Sequence, residues 1–140
     1  MLMDYETLNL LFRCGKEFSH KTIKSRDLGD TEGMVCSYIF SNGGCSQDEA
    51  AASLKADKTT VAKAVSALEK KGLLRRERDQ NDKRRNKLYI TPAGKTKIAG
   101  LAEMHNKWLS SVMAVLSKEE QRQFEDFCRR ILCEAERLTK

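Results

Sequence analysis

Ser46-Gln47-Asp48-Glu49-Ala50-Ala51-Ala52-Ser53-Leu54-Lys55-Ala56-Asp57-Lys58-Thr59-Thr60-Val61 runs through Leu68-Glu69-Lys70-Lys71-Gly72 into the charged stretch Asp79-Gln80-Asn81-Asp82-Lys83-Arg84-Arg85. Ser46 and Glu49 stand at capping-box spacing and open a short helix over Gln47 to Leu54, kept slim by Ala50, Ala51 and Ala52. Lys55-Ala56 makes a turn. Asp57 then caps a longer helix whose Val61, Ala64, Val65 and Leu68 recur at i, i+3, i+4 and i+7, a stripe that faces a core. Gly72 ends it as a C′ residue. Leu73 to Arg78 and Asn86 to Ile90 read as two strands joined by the polar run, with Leu88 and Ile90 on one face. The pattern is a helix-turn-helix followed by a hairpin wing.

The charge is concentrated in the same place. Residues 57 to 90 hold eleven Lys/Arg and five Asp/Glu, a net +6 that equals the formal charge of all 140 residues. A surplus confined to one segment suits a surface that displaces counterions from a phosphate backbone, whereas charge serving solubility alone is spread around. Taken by itself, the charge also fits a solvated basic face. The outward face of the longer helix carries Thr59, Thr60, Lys63 and Ala67, small or hydrogen-bonding groups that fit a major groove.

Outward from this block, Leu8, Leu11, Phe12 and Phe18 mark an amphipathic helix from Tyr5 to about Ile23. A second helix, with Thr31 as its expected N-cap and Met34, Val35, Tyr38 and Ile39 as its stripe, stops at Ser41-Asn42-Gly43-Gly44. Thr91 and Pro92 start a helix reaching about Leu116 through Ile98, Leu101, Met104, Trp108 and Met113. Ser117-Lys118-Glu119-Glu120 is another capping box, opening a last helix striped by Phe124, Phe127, Cys128, Ile131, Leu132 and Leu138. The expected fold is mainly α with a small β-hairpin. A winged helix closes its own core by Ile90, so the flanking stripes need another surface, and a second copy of the chain is the simplest supply.

No Pro/Gly/Ser-rich linker divides the chain, so one compact unit is expected. Met1-Leu2-Met3-Asp4-Tyr5-Glu6 lacks the basic region and apolar run of a signal peptide, and no apolar stretch approaches the ~20 residues of a membrane span. The expectation is a soluble, cytoplasmic protein without membrane partners. Five cysteines, Cys14, Cys36, Cys45, Cys128 and Cys133, form no CxxC pair, and their odd number points to reduced thiols. No nucleophile motif, phosphate loop or recurring carboxylate pair indicates an enzyme, and no cofactor is implied.

The ordered set Ser46 to Ala51, Leu54 to Val61, Leu68 to Arg76, Asp82 to Arg85 and Leu88-Tyr89-Ile90-Thr91-Pro92-Ala93-Gly94-Lys95 resembles the MarR family of winged helix-turn-helix bacterial transcriptional regulators. The resemblance implies one MarR-like domain over 1–140, with a DNA-binding part at 31–91 and dimerisation helices at 1–25 and 92–140. It implies a homodimeric regulator of transcription, more often a repressor, on an inverted-repeat operator of double-stranded DNA. Ser46, Gln47, Lys58, Thr59, Thr60, Lys63, Arg75, Asp82, Arg84 and Arg85 are the expected DNA-binding residues. Arg84 would enter the minor groove, with Asp82 holding its side chain or the loop. Ala62 stands where Thr or Ser is common in the family, Ala67 where Arg is frequent, and Lys63 in place of a more usual Arg. Lys63 therefore lacks the bidentate fork that reads guanine. The alternative is a winged helix that coats DNA without sequence preference or contacts protein, with no effector response.

Three further sites follow from the resemblance, each beside a plainer reading. Cys14 lies near the reactive cysteine of peroxide-sensing relatives, or is a small packed hydrophobe. Phe40, Met104 and Trp108, with Met113, line an effector pocket for a small molecule, or are core. His20, Cys36, Glu103 and His105 lie where zinc-sensing relatives bind metal, but their spacing is poor and no metal is expected.

Overall fold

The computed structural model describes residues 5–139; Met1 to Asp4, the first residues of the dimerisation segment expected at 1–25, and Lys140, the last of that expected at 92–140, lie outside the described residues. Six helices and one hairpin follow in the order α1 (Tyr5–Ser25), α2 (Asp30–Ser41), α3 (Gln47–Ser53), α4 (Lys58–Lys70), β1 (Leu74–Arg78), β2 (Asn86–Ile90), α5 (Pro92–Met113) and α6 (Lys118–Leu138). The chain clusters into two units, one ending at His105 and the other starting at Asn106 within α5. Among the described residues no helix is long and apolar enough to cross a membrane.

In the first unit the core forms where the periodic apolar faces meet. Val35, Cys36 and Ile39 of α2, Ala50 and Ala51 of α3, and Val61, Ala64, Val65 and Leu68 of α4 are buried together. Leu73, Leu74 and Leu88 at the hairpin, and Ile98 and Leu101 of α5, join them. The stripe predicted for α4 is the buried face, and α3 can lie close because its contact residues are alanines.

Three helices end in the same way, and only one ends at a glycine. After α4, Gly72 has φ +71°, its N–H donates to the Glu69 carbonyl, and the next N–H, that of Leu73, reaches back to Leu68. This is a Schellman stop, with buried Leu73 beside Leu68 supplying the usual apolar contact. The same pair of bonds closes α1 around Asp27 (φ +56°) and α3 around Lys55 (φ +50°). The turn of the helix-turn-helix is thus made by a lysine in the left-handed region, a conformation that costs an L residue about 1 kcal/mol or more.

The second helix departs from its predicted start and face. Gly29 rather than Thr31 is the N-cap, and it offers no side-chain acceptor, so Asp30 and Glu32 in the first turn supply the charge that favours a helix start. The inward residues are Val35, Cys36 and Ile39, an i, i+1, i+4 set, and Met34, about 100° further round the helix, is 47% exposed. The helix expected to reach Leu116 stops at Met113.

In the second unit, α6 begins with the predicted capping box, Ser117 Oγ accepting the Glu120 N–H while Glu120 Oε2 accepts that of Ser117. None of the helix's described residues is buried. Phe124, Phe127, Ile131, Leu132 and Leu138 are all exposed.

Candidate nucleic-acid interface

The outward face of α4 is prepared at its N-terminus. Asp57 Oδ2 accepts the Thr60 N–H at 2.9 Å and the Thr60 hydroxyl at 3.1 Å. Those two bonds hold the Asp57 carboxyl below its usual range, the nearby Lys63 adding to the effect. Thr60 therefore serves the cap, leaving Thr59 and Lys63 exposed and available. Ser66 shares their face, whereas the Ala67 expected there is half-buried. Lys58 leans toward Asp48 on α3 at 3.5 Å, with both side chains largely in solvent.

Ser46 is spent on structure. Its hydroxyl accepts the Glu49 N–H at 3.1 Å, its own N–H donates to Glu49 Oε2 at 2.7 Å, and the residue is buried. Gln47, half-buried, is the first residue of α3 that a ligand could reach.

The wing is anchored at its base and ordered at its tip. β1 and β2 pair antiparallel from Leu74 opposite Ile90 to Arg78 opposite Asn86. Cys45 forms a one-residue third strand, with its carbonyl accepting the Leu88 N–H at 2.9 Å and the Gly44 N–H donating to the Leu88 carbonyl. This links the hairpin directly to the start of α3. In the loop, Asp79 Oδ1 accepts the Asn81 N–H at 2.9 Å and Asp82 Oδ1 accepts the Arg84 N–H at 3.0 Å, while the Arg85 N–H reaches the Asp82 carbonyl. Asp82 thus holds the backbone of the tip rather than the Arg84 side chain. Its other oxygen lies 3.8 Å from Arg85 Nε.

Adjacent arginines on β1 face opposite ways, as strand alternation requires. Arg76 points toward α4, its Nε donating to Glu69 Oε2 at 3.0 Å and Nη2 to Ser66 Oγ at 3.4 Å. Arg75 lies on the other face, stacked 4.6 Å over the Tyr89 ring and paired with Glu77. Arg76, Arg84 and Arg85 meet Gln47, Asp48 and Asn86 around a cleft of about 210 Å³. The structure therefore brings Gln47, Arg84 and Arg85 together, keeps Arg75 apart, and adds Arg76 and Ser66, which sequence reasoning passed over.

The other predicted residues are placed as follows. Phe40 is half exposed, Met104 lies against the Arg26 guanidinium with its sulfur 3.6 Å from Nη2, and Trp108 belongs to the second unit. A separate cleft of about 570 Å³ between α1 and α2 is lined by Arg13, Lys16, His20, Ile23, Asp30 and Met34, with none of those three residues among its walls. His20 Nδ1 is 2.8 Å from Asp30, Cys36 is wholly buried, and His105 meets Phe18 edge-on at 6.0 Å. Burial pushes the Cys36 thiol up to about 11. Cys14, by contrast with its expected packing, is exposed.

Residues 22–85, which span the core helices and most of the wing, match the MarR family. The chain is 34% identical over 86 residues to the HTH-type transcriptional regulator BilQ of Clostridium symbiosum, covering 61% of this chain and 60% of that protein. The matched segment spans about 60% of the length of the curated relatives. Among solved structures, a crystal structure of MarR superposes with a TM-score of 0.81 at 26% identity, covering 99% of this chain and 97% of that one. A Staphylococcus aureus MepR mutant bound to an oligodeoxyribonucleotide superposes at 0.71 with 21% identity, covering 96% and 99%. The capped α4, the hairpin wing and these matches carry one conclusion: residues 22–85 of this chain form a MarR-family segment.

Proposed function

We propose that the chain is a transcriptional regulator that binds double-stranded DNA as a homodimer. The observation that carries this reading is the link from the exposed Thr59–Lys63–Ser66 face to the wing through Arg76, which donates to Ser66 Oγ and shares a cleft with Arg84 and Arg85. The helix face supplies groups for base edges, and the wing and cleft arginines supply charge for phosphate or minor groove. The MarR match over residues 22–85 supports the reading, as does the oligonucleotide on the similar MepR fold. No reading as an enzyme accompanies it.

The second copy is proposed from exposed apolar surface. On α1, Leu10, Leu11 and Phe12 are about half exposed, and α6 carries its whole stripe outward. Large apolar side chains each gain roughly 1.5–3 kcal/mol on burial, so surfaces of this kind favour a partner. Two copies related by a two-fold axis read an inverted repeat with half-sites about 34–36 Å apart, and occupancy of such an operator represses by blocking access. An effector then lowers affinity only by favouring a different spacing of the two reading heads. Oxidation of Cys14 as that trigger has one observation in its favour, the exposure of the thiol.

A gel-shift titration on the duplex upstream of the protein's own gene, at two salt concentrations, tests the reading. Saturable, salt-sensitive binding to one short segment is expected. Binding with no sequence preference would replace the regulator with a DNA-coating module, and no binding would remove DNA as the ligand.

A further inference from the structure

The corner between α1 and α2 receives two lysines from other elements. Lys97 of α5 donates to the Arg26 carbonyl at 2.7 Å, and Lys71 donates to the Asp27 carbonyl at 2.6 Å. The same Lys71 ammonium pairs with Glu32 Oε2 of α2 at 2.6 Å. Its side chain is 29% exposed and that of Glu32 is 20%, against 74% for Lys58 at the other end of α4. Lys71 is the C-cap residue of α4, so its cation also complements the negative end of that helix.

Lys71 belongs to the basic segment that a charge count assigns to phosphate contact, yet two of its three donors are engaged inside the protein. We propose that Lys71 is a positioning residue for DNA reading: through Glu32 and the Asp27 carbonyl it fixes the tilt of α4 against the α1–α2 corner, and it does not touch DNA. The leverage is large, because α4 is 13 residues long, about 20 Å, and a tilt of about 5° about its C-terminus moves Thr59 by about 1.6 Å and Lys63 by about 1 Å. Base contacts lose their hydrogen-bond geometry over that distance. The corner is suited to hold a helix, since Asp27 is itself fixed in a left-handed conformation by the stop of α1.

The inference rests on the DNA-binding reading above, and the test separates the two. Affinity for the upstream duplex and its salt dependence are measured for the wild type, Lys71→Met, Lys71→Arg, Glu32→Gln and Glu32→Ala, with circular dichroism melts confirming that each is folded. Lys71→Met is expected to bind about fivefold or more weakly with the salt slope of the wild type, while Lys71→Arg, which keeps donors and charge, stays within about twofold. Glu32→Ala and Glu32→Gln remove a negative charge, which by general electrostatics tightens DNA binding; positioning requires that they weaken it. A salt slope reduced by about one in Lys71→Met makes Lys71 a phosphate contact and overturns the proposal. So does unchanged or tighter binding by both Glu32 variants. Should Lys71→Met fail to fold, the Glu32 pair decides alone. A wild type that binds no duplex overturns the DNA reading itself, whereas wild-type binding with unaffected variants overturns only the role of Lys71.

Discussion

Gly94, three residues into α5, lies against the backbone carbonyl of Leu73, and a Cβ at this position would overlap that oxygen and come within 2.8 Å of Ile90 Cγ2. The contact closes the hairpin onto the helix that follows it. Thr91 reinforces the same junction, its hydroxyl donating to the Gly72 carbonyl at 2.6 Å and accepting the Gly94 N–H at 3.1 Å. Gly94→Ala must push backbone apart, so a loss of roughly 1–3 kcal/mol is expected despite alanine's better helix propensity. A denaturant midpoint at or above that of the wild type would show that the junction opens freely.

Lys55→Gly should move stability the other way. Lys55 occupies the left-handed turn position at φ +50° between α3 and α4. Glycine relieves the steric cost but loses more unfolded-state entropy, leaving a net gain on the order of 0.5–1 kcal/mol. Thermal melting reads the difference, and a lowered midpoint would count against a strained turn.

Asp57 gives α4 a pH signature. The Thr60 N–H, then the Thr60 hydroxyl, hold its carboxyl below the usual 3.8. Because the folded value is depressed, the stability it contributes is fully present above the unfolded value and is lost as pH falls through the folded one. Asp57→Asn, which keeps an acceptor but no charge, should be less stable than the wild type at pH 7 and converge with it once pH has fallen through the depressed folded value. Parallel acid titrations of the two proteins that never converge would exclude this linkage.

The two arginines at 75 and 84 should separate cleanly. Arg84 stands exposed at the wing tip, whereas Arg75 is stacked on Tyr89 and paired with Glu77. Arg84→Ala should weaken duplex binding and lower the salt slope by about one, and Arg75→Ala should leave the slope unchanged. The reverse pattern would place the other face of the hairpin on DNA.

Ile131→Glu tests the second copy without disturbing the core, since Ile131 is 65% exposed on α6. A folded protein that sediments as a monomer is expected where the wild type sediments as a dimer. A dimeric variant would move the interface off this stripe.

Much of the architecture was legible because its signals are local. Both capping boxes, the Asp57 cap, the Thr91-Pro92 start and the α4 stripe depend on residues within one or two helical turns of each other, and all appear as read. The stops were harder to see. Gly72 announced the end of α4, while Asp27 and Lys55 make the same turn without the residue type that signals it. The site was legible in composition and less so in orientation. Leu73-Leu74-Arg75-Arg76 doubles each residue type, so only the pairing of Arg76 with Leu88 decides which arginine faces α4. Ser46 and Thr60 looked like DNA contacts by type, but both hydroxyls serve helix starts. Phe40, which helical spacing allowed as core or pocket wall, is half exposed, a placement set by packing between helices that no local pattern encodes.

The aspartates of the wing have a consequence for the thermodynamics of encounter. A seven-residue charged loop without internal bonds would give up about 1–2 kcal/mol of backbone entropy per residue on being fixed against a duplex. Here Asp79 and Asp82 hold the Asn81 and Arg84 amides, and the Asp79 and Arg85 N–H groups find carbonyls within the loop. Much of that ordering therefore happens at folding rather than at binding, and the two acidic side chains that lower the wing's net charge make its arginines arrive already placed.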